Sequence, residues 1–145
     1  MTTIDAVLSS VDANLETARA RLFDLLRIPS VSTDPAFTQH CQTAADWLAQ
    51  QLVDLGYRAD VRATPGHPIV VGHARAKRKD APHVLFYGHY DVQPPDPLEL
   101  WNAAPFDPRL VEGKDGLEIV ARGASDDKGQ LMTFLEACRA FEANG

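Results

Sequence analysis

Cysteine is scarce: Cys41 and Cys138 are the only two in 145 residues. They stand far apart, each among apolar helix-forming neighbours. That excludes a CxxC metal knuckle and a disulfide framework, and points to a reducing, cytoplasmic setting. Long apolar runs are missing too. None approaches the about 18 residues of a membrane span, and the opening MTTIDAVLSSVDANLE lacks the basic and apolar blocks of a signal peptide. Positive charge is in deficit, with 14 Lys and Arg against 20 Asp and Glu, so neither nucleic-acid phosphates nor an anionic membrane is an expected partner. No GxGxxG, Gly-Lys-[Ser/Thr] or GxSxG pattern occurs, which sets aside nucleotide-loop and serine-hydrolase chemistry.

What is present suits a globular domain. At 45% apolar residues the chain can bury a real core, in one domain or one piece of a larger one. Ile4, Leu8, Val11, Leu15, Ala18, Leu22 and Leu25 recur at helical spacing and predict one amphipathic helix over roughly 4–27. Pro29 breaks it. Asp34 and Pro35 then offer an N-cap and first turn to a second helix carrying Phe37, Cys41, Ala44, Leu48, Leu52 and Leu55, stopped by Gly56. From there the period is that of strands, over Tyr57 to Ala63, Ile69 to Ala74 and the apolar run Val84 to Tyr87, with a charged turn from Ala76 to Asp80. The proline-rich stretch from Val92 to Pro108 predicts an ordered loop pinned by Trp101 and Phe106, because proline removes donors and fixes φ. A hairpin follows, Leu110–Val111 with Leu117–Ala121. The last element is a helix from Lys128 to Ala143 with Leu131, Leu135, Cys138 and Phe141 on one face.

Two stretches carry candidate chemistry. In LFYGHYDV, from Leu85 to Val92, His89 and Asp91 fall at the expected C-terminal end of a strand, where ligand sites collect in α/β sheets. His89 could offer a ring nitrogen to a metal while Asp91 accepts the other ring N–H; a histidine hydrogen-bonded in a turn is the bland alternative. In RGASDDKGQ, from Arg122 to Gln130, Asp126 and Asp127 precede the final helix. One of them can be an N-cap, yet two adjacent acids exceed what capping requires. A carboxylate beside an imidazole is the material of a zinc, manganese or cobalt site, and its two oxygens can bridge two ions.

Together, LRIPSVS (Leu26–Ser32), GHYDVQP (Gly88–Pro94), WNAAPFDP (Trp101–Pro108) and ARGASDDKGQ (Ala121–Gln130) resemble the opening third of the zinc-dependent dipeptidase, aminoacylase and carboxypeptidase G family of metallopeptidases. The DVQP form, with the tryptophan and Pro-Phe that follow, is closer to the dipeptidase branch than to the deacetylase branch. The resemblance implies an α/β fold: the N-terminal part of a zinc-peptidase-like catalytic domain over residues 1–145, helices packed on a mixed central sheet, with the lid and dimerisation domain absent. It implies His89 and Asp126 as metal ligands, Asp126 bridging two divalent ions, and Asp91 as the orienting carboxylate. It further implies hydrolysis of a dipeptide or N-acyl amino acid and, in complete members, frequent homodimers. Asp127 follows the bridge, at a peptide bond that is often cis in the family.

The family's Glu-Glu pair, whose first member is the general base, is not among these residues. Glu136 and Glu142 lie in the final helix, and His40, His67, His73 and His83 match no family ligand. The 145 residues alone are therefore expected to be inactive. Two rival readings stand beside the enzyme: a non-catalytic truncated fragment or interaction remnant, and a single-metal module holding zinc on His89 and Asp126 without turnover.

Overall fold

The computed structural model describes residues 3–76 and 78–145. Four helices, α1 (Ile4–Ala13), α2 (Leu15–Leu26), α3 (Thr38–Asp54) and α4 (Lys128–Ala143), combine with two hairpins, β1 (Arg58–Arg62) with β2 (Ile69–His73) and β3 (Arg109–Gly113) with β4 (Gly116–Val120). The class is α/β, as expected from the change of period along the chain. Each hairpin is a separate two-stranded antiparallel sheet, and the parallel component is a single bridge, Val31 to Val92.

The core lies where α3 and α4 meet α2. Leu25, Ala44, Leu48, Leu131, Met132 and Leu135 are buried together, with Leu52, Val70 and Tyr90 packed around them. The β1–β2 hairpin lies on α3, and Gly72 makes that approach possible: a Cβ there would sit 3.0 Å from a Leu52 methyl. Asp34 caps the Pro35–Phe37 3-10 turn by accepting from the Ala36 N–H at 2.9 Å, so the chain enters α3 as its sequence indicated. Gly56 ends that helix with φ of 82°.

Several expectations are corrected. The helix over 4–27 is two, because Asn14 leaves helical geometry at φ −109° and ψ 8° and turns its side-chain amide onto the Ser10 carbonyl. The expected apolar face is largely exposed at Ile4, Leu8 and Val11 of α1 and at Leu15 of α2; α1 lies against α4, and its buried residue is Val7. Phe141 is exposed as well, and the buried face of α4 runs through Leu131, Met132, Leu135 and Ala140.

The largest difference is Val84–Tyr87. It joins no ladder among the described residues and stays exposed, with Leu85 92% accessible; Phe86 stacks on Phe134 of α4 with centroids 3.7 Å apart. An apolar run becomes a buried strand only if strands lie beside it, and none does among the described residues. The charged turn lies partly outside the described residues, at Lys77; within them Arg78 pairs with Asp80 at 3.2 Å. In the proline-rich loop Trp101 is the anchor, donating Nε1–H to the Pro95 carbonyl at 2.8 Å beneath the Arg122 guanidinium, 5.5 Å from the ring centroid.

Candidate metal centre

His89 is set by backbone on both sides. Downstream, Val92 N–H donates to the Ser30 carbonyl at 2.9 Å and Ser30 Oγ donates to the Tyr90 carbonyl at 2.6 Å, tying Tyr90–Val92 to the buried segment Ser30–Val31. Upstream, Gly88 lets a carboxylate come close: a Cβ there would lie 3.2 Å from Asp127 Oδ2, which accepts the His89 N–H at 3.0 Å. Asp127 thus clamps the histidine backbone. It is also the N-cap residue of α4, but neither it nor Asp126 makes a side-chain cap bond, so the capping role open to these acids is not taken up.

Asp126 points the other way. Its side chain is 82% exposed and places Oδ1 3.1 Å from His89 Nε2. The other ring nitrogen, Nδ1, faces the Asp91 carbonyl at 3.1 Å and Asp91 Oδ1 at 3.2 Å. Sequence-selected His89, Asp91 and Asp126 are therefore brought together, although His89 follows a segment without regular secondary structure and not a laddered strand. The Asp126–Asp127 peptide is cis.

The electrostatics follow from counting donors. A neutral imidazole has one N–H and one lone pair. With acceptors on both sides, whichever nitrogen lacks the proton turns a lone pair on an oxygen, and that meeting is repulsive unless a second proton or a cation lies between them. Burial works against the charged ring, but the Asp91 carbonyl, the Asp91 and Asp127 charges and the Asp126 hydrogen bond outweigh it, so the His89 pKa is raised above 6.5.

The donor chemistry fits a divalent ion of the zinc type. Two ligands of one tetrahedral zinc, each at ~2.0–2.1 Å, stand about 3.3 Å apart, close to the 3.1 Å between His89 Nε2 and Asp126 Oδ1. No cluster of three or more His, Cys, Asp or Glu arranged to hold an ion occurs among the described residues.

Two residues were missed by the sequence reading. Lys128 opens α4, where a cation opposes the helix dipole, and that mismatch is the signal that could have found it. It is fully buried, donating to the Leu25 and Ile28 carbonyls at 3.0 and 2.6 Å, so it ties the end of α2 to the acidic turn. Burial lowers its pKa to about 8, while Cys41 and Asp91 act to raise it. Ser32 donates Oγ–H to Asp91 Oδ2 at 2.5 Å, and its own carbonyl meets His67 Nε2 at 2.8 Å. Glu136 is accounted for away from the site: Arg21 grips it with Nε and Nη2 at 2.7 and 2.5 Å, joining α2 to α4.

The α/β unit sets the His89 imidazole between the carboxylates of Asp91 and Asp126. Residues 85–145 match the model of peptidase family M20/M25/M40. A cysteinylglycine-S-conjugate dipeptidase of Corynebacterium striatum is 31% identical over 97% of this chain and 31% of its own length. A succinyl-diaminopimelate desuccinylase of Hahella chejuensis is 36% identical over 74% of this chain and 26% of its own. Among solved structures, the dipeptidase Dug1p of Saccharomyces cerevisiae superposes with a TM-score of 0.86 at 26% identity, covering all of this chain and 32% of that one. The chain is thus similar to M20 metallopeptidases, and spans about a third of the length of the relatives it matches.

Proposed function

We propose that residues 1–145 form the N-terminal part of the catalytic domain of a dinuclear metal-dependent dipeptidase. The observation that carries this reading is His89 held between Asp91 and Asp126 with an acceptor at each ring nitrogen. His89 would bind one ion through Nε2, Asp126 would share its carboxylate between two ions, and Asp91 would hold the Nδ1 proton. Divalent ions, zinc first with manganese or cobalt as alternatives, would supply Lewis acidity toward the amide of a dipeptide or N-acyl amino acid.

Within that scheme the residues of this chain have limited tasks. Asp91 fixes the ring tautomer so that the Nε2 lone pair faces outward. Asp127 fixes the backbone that carries the ring, and Lys128 fixes the turn that carries Asp126. A catalytic zinc uses three protein ligands, and proton transfer by a general base is worth ~10²–10⁴-fold. His89 and Asp126 supply two ligand groups and no Glu-Glu pair, so these residues alone should not turn over dipeptides. Complete proteins of this kind would pair as homodimers; the unpaired cysteines suit a cytoplasmic setting.

Calorimetric titration of the purified chain with zinc, manganese and cobalt, beside a dipeptide hydrolysis assay, tests the reading. Saturable binding that His89→Ala and Asp126→Ala each abolish, with no turnover, is the expected result. Binding untouched by either substitution would reject the assignment of the site, and dipeptide turnover abolished by His89→Ala would show the 145 residues to be a complete enzyme.

A further inference from the structure

We propose that Ser32 is a positioning residue for the metal ligand His89, acting through Asp91; the inference rests on the metal-centre reading above. An ionised aspartate only accepts, so the short Ser32–Asp91 contact has one direction, hydroxyl to Oδ2 at 2.5 Å. The carboxylate torsion of an aspartate is otherwise broad and two-fold. With Oδ2 held, Oδ1 faces His89 Nδ1 at 3.2 Å, and the ring in turn presents Nε2 toward Asp126.

Ser32 is itself located by backbone. Val31 bridges to Val92, Ser30 is bonded to both Tyr90 and Val92, and the Ser32 carbonyl meets His67 Nε2. The hydroxyl is thus carried on a segment zipped to the very residues that hold His89 and Asp91. The three side chains form a relay from a fixed backbone to a metal-facing nitrogen, and outer partners of this type typically change metal affinity by about 10–100-fold.

The test combines zinc affinity by chelator competition with the His89 ring tautomer read from nitrogen-15 NMR of the metal-free protein at a pH where the ring is neutral. Ser32→Ala should weaken zinc binding about 10–100-fold and raise the fraction of Nε2–H tautomer. Ser32→Thr, which keeps the hydroxyl, should restore both. In an Asp91→Asn background Ser32→Ala should add nothing, whereas a merely structural serine would cost the same in either background and overturn the proposal. Wild-type affinity and tautomer in Ser32→Ala would overturn it as well. If Ser32→Ala does not fold, Ser32→Cys, a weaker donor, is read in the same way. A wild-type chain that binds no zinc, yet shows the tautomer change on Ser32→Ala, would reject the metal reading and leave the positioning role standing.

Discussion

The chain behaves differently in the fold on either side of Gly88 and His89, although the more apolar side is Val84–Tyr87. Val84–Tyr87 is outside regular secondary structure and exposed, whereas Tyr90–Val92 is tied to Ser30 and Val31 and buries Val92 to 3%. Hydrophobicity does not decide between these fates; a partner does. His89 sits at the seam, its side chain partly open to solvent and its supporting groups locked from beneath.

The most damaging way to disturb the anchored side is to remove its peg. Lys128→Ala would leave a cavity and strip two carbonyls at the end of α2 of their donor, and should cost about 3 kcal/mol in urea unfolding. A loss below about 1 kcal/mol would show that water or a neighbour replaces the ammonium without penalty.

A matched pair sharpens the contrast directly. Val92→Ala should destabilise by about 2 kcal/mol, since its methyl groups are buried, while Leu85→Ala on the exposed side should change stability by less than about 0.5 kcal/mol. Equal losses would mean that the apolar run is covered in solution.

The smallest effect belongs to His89, half open to solvent. Its folded pKa lies above 6.5, so the stability it contributes is fully present below that pH and is lost as pH rises through the folded value. In metal-free protein, thermal scans across this window should show wild type losing a modest advantage over His89→Gln as pH increases. A gap that widens with pH would reverse the sign of the assigned environment.

Local chemistry made much of this legible. Asp34-Pro35 and Gly56 bounded the helix that became α3, and the glycines of Glu112–Gly116 placed the β3–β4 turn, because caps and turns are written in a few adjacent residues. The juxtaposition of His89, Asp91 and Asp126 was legible from spacing and resemblance together. The exposure of Val84–Tyr87 was not, since it depends on which strands lie alongside. Nor was the break at Asn14, where apolar spacing runs through uninterrupted and only a side-chain bond to Ser10 marks the change. Ser32 and Lys128 were invisible as partners because each acts across a long stretch of chain, on Asp91 and on the end of α2.

The central claim is that His89 and Asp126 hold one divalent ion together. Crystals of the zinc-loaded protein, measured at the zinc absorption edge, test it most directly. The account predicts an anomalous peak ~2.0–2.2 Å from both His89 Nε2 and Asp126 Oδ1, with Asp91 against Nδ1 and outside the coordination sphere. Zinc bound elsewhere, or Asp91 coordinating in place of Asp126, would contradict it.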